Sequence, residues 1–233
     1  MMKIKLMLLS CLTIGQIVCY AQSKSALSLN VGTSIPLNDF ASTDRNNELA
    51  GYAKTGFSIA VNYDYKLIKS FGIQAMIKLD NNDFSEADIK KLIDSQTGGN
   101  WNVNAKNWNS TAFLAGIYYA IPISDKAEFT IRGLAGATNV KEPETSWTTT
   151  VNNQNFYINK AEKSAMAFTY LLGIGLKCNI KNNLIFLANA DYSDAKAEFN
   201  DVVYASNFST IQPSTSKTKI TKANISLGLG YKF

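Results

Sequence analysis

The chain ends in the stretch ANISLGLGYKF, residues 223–233. Its even-numbered positions carry asparagine, serine, glycine and lysine, whereas its odd-numbered positions are apolar or aromatic. Because successive side chains of a β-strand point to opposite faces of a sheet, this period of two predicts a strand with one polar and one apolar face. The apolar set consists of Ala223, Ile225, Leu227, Leu229, Tyr231 and Phe233.

Seven earlier stretches show the same alternation, clearly in five of them and only partly in the fourth and fifth strands. Together with the last stretch they predict eight strands, at about residues 27–35, 57–65, 71–79, 108–121, 129–135, 168–177, 184–193 and 223–233. The fourth of these is apolar on both faces, so its outer set is chosen only by position: Phe113, Ala115, Ile117, Tyr119 and Ile121. The four prolines lie at strand ends or in connections, as expected of residues that cannot donate to a sheet ladder.

The connections between the predicted strands alternate in length. Three are short turns, at residues 66–70, 122–127 and 179–183, and four are long and polar, at 37–54, 80–107, 141–164 and 195–216. This alternation is typical of an up-and-down antiparallel barrel with its turns at one end and its loops at the other. Within the second long loop, a serine cap and helical spacing predict a short helix from about Glu86 to Asp94.

The polar faces of the strands carry charges of both signs, which helps to choose between a soluble and a transmembrane barrel. In a soluble barrel the apolar set would form the core, whereas in a membrane barrel it faces lipid. Aromatic residues near the strand ends favour the membrane. Eight strands enclose a lumen that side chains fill, so we expect the interior charges to pair there. They are Asp64, Lys78, Arg132, Lys177 and Asp191.

The first residues have the order of a secretory signal peptide. Lys3 and Lys5 precede an apolar segment that ends near Ala21, which predicts residues 1–21 as the signal and 22–233 as the barrel domain. A membrane-spanning anchor, or lipid attachment at Cys11, remains an alternative. Cleavage removes two lysines, so 23 basic and 18 acidic residues become 21 and 18, a net charge of +3 that indicates no nucleic-acid partner. Cleavage also removes Cys11 and Cys19 and leaves Cys178 as the one cysteine, so no internal disulfide can form.

Three stretches resemble a known family. They are the last strand, ending in Tyr231 and Phe233, the run from Leu27 to Phe40, and the stretch from Leu114 to Tyr119 that leads to Pro122. They are similar to the small outer-membrane protein β-barrel domain family of Gram-negative bacteria. The resemblance implies an all-β, eight-stranded transmembrane barrel in the outer membrane, with short periplasmic turns and long extracellular loops. It also implies a barrel assembly machinery that reads Tyr231 and Phe233 as an assembly signal.

The residue inventory offers little for catalysis. The chain has no histidine, which removes histidine-based nucleophilic catalysis and the commonest metal ligand. Four acidic residues of the second loop, Asp80, Asp83, Glu86 and Asp88, do not match a calcium loop, so we interpret them as a solvated acidic segment. We therefore predict no catalytic, cofactor-binding or metal-binding residues and no cofactor.

Aromatic residues in the long loops are the remaining candidates for a site. They are Trp101, Trp147, Phe156, Tyr157, Tyr204 and Phe208. They either form an extracellular ligand or adhesion surface, or they cover the barrel mouth or anchor in the outer headgroup layer. Three function classes follow from the sequence. The first is a structural or surface-interaction barrel in outer-membrane lipid, the second is a narrow pore or small-ligand transport barrel, and the third is a barrel enzyme. We predict the first.

Overall fold

The computed structural model describes residues 24–233, so the predicted signal peptide at residues 1–21 lies outside the described part of the chain. In chain order, the elements are β1 Ser25–Leu37, β2 Gly56–Lys66, β3 Phe71–Asn82, α1 Glu86–Thr97, β4 Asn102–Ala105, β5 Trp108–Ser124, β6 Ala127–Glu142, β7 Thr145–Val151, β8 Gln154–Lys160, β9 Lys163–Lys181, β10 Leu184–Val202, β11 Tyr204–Ser206 and β12 Ser214–Lys232.

Eight long strands form a closed antiparallel ring in the order β1-β2-β3-β5-β6-β9-β10-β12. The ring closes where β1 pairs with β12, with Leu29 opposite Leu229. This confirms the predicted eight-stranded barrel, and each predicted strand lies within or overlaps one of these eight. The end that holds the three short connections is called the turn end below, and the opposite end is called the loop end.

The barrel is apolar outside and largely polar inside. Leu29 and Leu229 are 53% and 56% exposed on the outer surface, whereas Asn30 and Asn224 are each only 2% exposed inside. A water-soluble fold buries its large apolar side chains, so this arrangement suits a barrel surrounded by lipid. The exposed outer set includes Leu27, Val31, Val61, Ile73, Ile77, Phe113, Ile117, Ile131, Leu172, Ile174, Ile225 and Leu227.

One side of the barrel wall is taller than the other. Strands β9, β10 and β12 have 19 residues each, whereas β2 has 11. Nineteen residues at about 3.3 Å each span about 60 Å along the strand, more than a tilted strand needs to cross an apolar band about 25 Å tall. The excess lies at the loop end, where the outer surface turns polar with residues such as Lys196, Glu198 and Lys217. The wall therefore projects beyond the lipid on this side.

A second sheet, with strand order β11-β8-β7-β4, lies at the loop end. Its central hairpin turns at Asn152 and Asn153, which both have positive φ, as a two-residue hairpin turn requires. The prediction of a polar loop at residues 141–164 is wrong, because β7 and β8 lie there. Strand β7 carries threonine on both faces, and β8 has Phe156, Tyr157 and Ile158 in succession, so neither strand shows apolar alternation.

Helix α1 spans Glu86–Thr97, three residues more than predicted at its C-terminal end. It stops at Gly98, which adopts the left-handed conformation with φ 64°. The side chain of Ser85 donates to the carboxylate of Asp88 and does not cap a backbone N–H. Within residues 24–233, no helix is both long and apolar enough to cross a bilayer.

Candidate functional site

The lumen near the turn end contains a buried ion pair between β9 and β2. The Lys177 ammonium donates to the Asp64 carboxylate at 2.6 Å, and the Gln74 amide donates to the same carboxylate at 2.7 Å. The ammonium also lies 5.4 Å from the centre of the Tyr118 ring. A buried charge is tolerated only when it is paired and hydrogen-bonded, and these contacts satisfy both charges across the width of the barrel.

A second ion pair follows, between Arg132 on β6 and Asp191 on β10. The guanidinium donates to both carboxylate oxygens, at 2.8–2.9 Å, in the two-pronged geometry that makes such pairs strong. Gly173 lies on β9 between these two strands, and a Cβ atom placed there would come within 2.0 Å of the Asp191 carboxylate. Glycine at this position therefore leaves the space that the ion pair occupies.

Replacing Arg132 with methionine should strongly destabilise the barrel, because it leaves the Asp191 carboxylate buried without its partner. Loss of one partner of a buried ion pair costs about 3–5 kcal/mol, which corresponds to a fall in Tm of roughly 10 °C for a chain of this size. Thermal unfolding followed by circular dichroism in detergent measures it. The matched control is Arg45→Met, which changes an exposed loop arginine. Equal melting temperatures for the two variants would contradict a buried, paired Arg132.

A third cluster lies nearer the loop end and centres on Asp80. Its carboxylate accepts hydrogen bonds from the Lys222 ammonium at 2.5 Å and the Ser58 hydroxyl at 2.7 Å, and the Lys78 ammonium lies 3.4 Å away. Lys78 also donates to the Asn224 side chain at 2.9 Å. All five residues are at least 95% buried. The Asp80 carboxylate thus pairs with two lysines inside the lumen.

The assignment of Asp80 to a solvated acidic loop was wrong. Strand β3 continues to Asn82, so Asp80 points into the lumen on the same face as Lys78. Lys222 is not among the predicted interior charges, because the predicted last strand begins at Ala223, whereas β12 begins at Ser214. Extending the alternation backwards would have found it, since Lys222 has the parity of Asn224. Asp83, by contrast, lies outside the barrel and is exposed.

An apolar layer separates the Arg132 pair from the Asp80 cluster. It is a buried set formed by Ala60, Met76, Ala112, Leu114, Leu134 and Leu171. Two of these, Ala112 and Leu114, lie on β5, which explains why this strand is apolar on both faces. Its outer set, chosen from the sequence only by position, includes Phe113 and Ile117, which are 54% and 53% exposed.

The loop end of the lumen is closed by a second apolar cluster, here called the plug. Phe40, from the first long loop, packs edge-on against Trp108 with ring centres 5.5 Å apart, and Phe199 lies 6.2 Å from Trp108. The Trp108 indole donates to the carbonyl of Gly51 at 2.8 Å, which ties the loop to the wall. The plug also contains Ala53, Val140, Ala167, Ala195, Ala197, Val202 and Ile220.

Side chains fill the space between these layers. Two cavities are enclosed among the lumen residues, one beside Lys78 and Lys222 and one beside Asp64 and Arg132, and each has a volume of about 10 Å³. A volume of this size holds about one water molecule. In the part of the chain that the structure describes, ion pairs and apolar layers therefore fill the lumen.

The aromatic residues of the long loops divide into two groups. Trp101 is only 8% exposed and its indole donates to the Thr97 side chain of α1, whereas Tyr204 packs against the plug and belongs to the cover of the barrel mouth. Phe156 packs edge-on against Phe208 with ring centres 5.6 Å apart. Tyr157 is 37% exposed. Tyr157 thus faces solvent on the side away from the barrel, whereas Trp147 and Phe156 have the opposite strand parity and are half-buried.

Tyr231 and Phe233, the predicted assembly signal, lie at the turn end. The Tyr231 side chain is 54% exposed on the outer surface. The backbone of Phe233 pairs with Ser25 of β1 in both directions, at 2.9 and 3.2 Å, and its ring lies 6.4 Å from that of Tyr63. The last residue is thus part of the seam that closes the barrel.

A closed eight-stranded barrel with an apolar outer belt and a packed, charged lumen defines the class of small transmembrane β-barrels. The sequence places the protein within that class. Residues 6–233 match the outer membrane protein beta-barrel domain family, and the chain belongs to that family. This confirms the resemblance found in the sequence and makes the protein an outer-membrane β-barrel protein. No curated protein matches it significantly in sequence.

Solved structures of similar fold include three bacterial outer-membrane proteins. The attachment invasion locus protein Ail of Yersinia pestis is 17% identical, with 91% of this chain and 100% of that chain covered and a TM-score of 0.48. Neisserial surface protein A is 9% identical, with 92% and 100% covered and a TM-score of 0.49. OprG of Pseudomonas aeruginosa is 12% identical, with 91% and 97% covered and a TM-score of 0.46.

Proposed function

We propose that the protein is a structural or surface-interaction barrel whose activity resides on its extracellular cover. The filled lumen carries this proposal. A pore requires a continuous path, and here the Asp64, Arg132 and Asp80 charge layers, an apolar layer and the plug follow one another from the turn end to the loop end. A transport role would require these layers to separate, at the cost of breaking buried ion pairs.

The arrangement of the acidic residues also argues against a catalytic role. The carboxylates of Asp64, Asp80 and Asp191, which are buried in the lumen, are each neutralised by lysine or arginine. A carboxylate that acts as a general acid or base must reach its substrate, and these three lie between packed layers. We therefore assign them to the stability of the barrel.

The protein is exported through a signal peptide and then inserted into the outer membrane. Residues 1–21 act as a cleaved signal, so the mature chain begins at Gln22. An intact mass that retains residues 1–21, measured on protein from the membrane fraction, would contradict this.

The barrel assembly machinery receives the last strand through Tyr231 and Phe233, and the outer belt then contacts outer-membrane lipid. The turn end faces the periplasm, and the second sheet faces outward.

Cysteine labelling on intact cells tests this orientation. In a Cys178→Ala background, Thr150→Cys places a thiol on exposed β7, and Asp125→Cys places one in the exposed turn between β5 and β6. A membrane-impermeant maleimide should label the first variant on intact cells and the second only after lysis, because the outer membrane separates the two sites.

Lysed cells provide the control, since both thiols should then react. Labelling of the Asp125→Cys variant on intact cells, with the Thr150→Cys variant protected, would show that the barrel has the opposite orientation. Equal labelling of both on intact cells would show that the barrel does not span the membrane.

A further inference from the structure

The outward face of the second sheet has an unusual composition. Side chains of one parity along β4, β7 and β8 share this face, as the strand register shows. They are Asn102, Asn104, Ser146, Thr148, Thr150, Asn155, Tyr157 and Asn159, and all but the half-buried Ser146 are exposed. All eight are uncharged, and each has at least one hydrogen-bonding group. The face therefore differs from the barrel wall below it, where charged residues such as Lys196, Glu198 and Lys217 are exposed.

A groove of about 560 Å³ opens on this sheet. Its lining consists of Asn100, Asn102, Thr148, Thr149, Thr150, Asn155, Phe156 and Tyr157. The volume lies within the range of small-molecule sites, about 300–1,000 Å³. Amide and hydroxyl groups line it beside the aromatic ring of Tyr157, so polar and apolar contacts are offered together.

Several of these polar groups have no partner in the part of the chain that the structure describes. The side chains of Asn102 and Thr148 and the hydroxyl of Tyr157 make no hydrogen bond within residues 24–233, whereas Asn155 accepts one from Thr150 at 2.7 Å. An amide and a hydroxyl can each donate and accept, so they match a ligand that does both. The free groups form one row across three neighbouring strands, from Tyr157 on β8 through Thr148 on β7 to Asn102 on β4.

The groove lacks the free positive charge that an anionic ligand requires. No lysine or arginine lines it, and the nearby Lys90 is held by the Asp94 carboxylate at 2.7 Å, the Asn100 side chain at 2.8 Å and the Trp101 carbonyl at 2.7 Å. Sulfate, phosphate and carboxylate groups are bound in proteins by charged or clustered N–H donors, above all arginine. A ligand rich in neutral hydroxyl groups fits the groove instead.

We propose that this groove binds a neutral saccharide. The hydroxyl groups of a sugar ring both donate and accept hydrogen bonds, as do the amides and hydroxyls of Asn102 and Thr148. The less polar face of the ring packs on an aromatic side chain, which Tyr157 supplies at the edge of the groove. Binding of an extracellular saccharide at this groove depends on the extracellular position of the sheet proposed above.

Binding of the purified protein, folded in detergent, to an array of neutral, sialylated and sulfated glycans tests the proposal. We expect binding to neutral glycans that persists in high salt, because no ion pair contributes to it. Tyr157→Ala should weaken binding by about two- to tenfold, the scale of one lost aromatic contact, and Tyr157→Phe should retain most of it. Asn159→Ala, on the same strand and face but outside the groove, should bind as the wild type does.

The outcomes separate the alternatives. Binding only to sulfated or sialylated glycans, with loss in high salt, would overturn the proposal, and so would the absence of binding to any neutral glycan. Equal loss in the Tyr157→Ala and Asn159→Ala variants, with unchanged heat-modifiable mobility, would place the binding site outside the groove. Each of these results leaves the cysteine labelling unaffected, so failure of the saccharide proposal is distinguishable from failure of the surface orientation.

Discussion

Replacing Asp80 with asparagine should destabilise the barrel more than any other single exchange of a lumen charge. The change leaves two buried lysines, Lys78 and Lys222, without the carboxylate that both contact. Removal of one partner of a buried ion pair costs about 3–5 kcal/mol, and two ammonium groups depend on this carboxylate. We expect a fall in Tm of more than about 10 °C, measured by circular dichroism in detergent.

Two further variants test the cause of this effect. Asp83→Asn, three residues away and exposed, should change the free energy of unfolding by less than about 0.5 kcal/mol. Adding Lys222→Met to Asp80→Asn should recover part of the lost stability, because it removes one of the two unpaired charges. If the double variant is less stable than Asp80→Asn alone, the loss comes from packing and the charge argument fails.

Changing Phe233 to serine should reduce the amount of protein embedded in the outer membrane several-fold, as the assembly-signal proposal requires. The last residue pairs with Ser25 where the barrel closes, and its ring lies near Tyr63 at the lipid boundary. Aromatic side chains are preferred at that boundary. Export should be unaffected, so the variant should still lose residues 1–21. Membrane fractionation with heat-modifiable gel mobility measures the embedded amount.

The control for position is Phe208→Ser. Phe208 is 48% exposed at the loop end, far from the seam, so its loss should leave the embedded amount unchanged. Wild-type levels of heat-modifiable Phe233→Ser protein would show that the terminal aromatic is not needed for insertion.

The fold was predictable where one face of a strand is apolar and the other polar. Residues 223–233 show the reason, because a register slip by one residue would turn Leu227 and Leu229 into the lumen. Prediction failed where both faces carry similar side chains. In β7 the run from Ser146 to Thr150 contains one apolar residue, so the second sheet could not be detected from hydrophobicity.

The interior charges were predictable from strand parity, but their partners were not. Arg132 and Asp191 lie 59 positions apart in sequence, and they meet because β6 and β10 flank β9, where Gly173 leaves room for the pair. Asp80 was missed because polar residues follow it at positions 81–83 and hide the end of β3. The groove at Tyr157 depends on the register of β4, β7 and β8, for which the sequence contains no signal.

Conductance of the purified barrel in planar lipid bilayers tests most directly whether the lumen is closed. The structure closes the lumen with ion pairs between Asp64 and Lys177 and between Arg132 and Asp191, with the Asp80 cluster, and with the plug. A wide porin of 16–18 strands, reconstituted in the same way, serves as the positive control because its lumen is water-filled. We predict that the folded, heat-modifiable protein inserts without discrete current steps. Reproducible single-channel steps from the wild-type protein would contradict the closed lumen and favour a transport function.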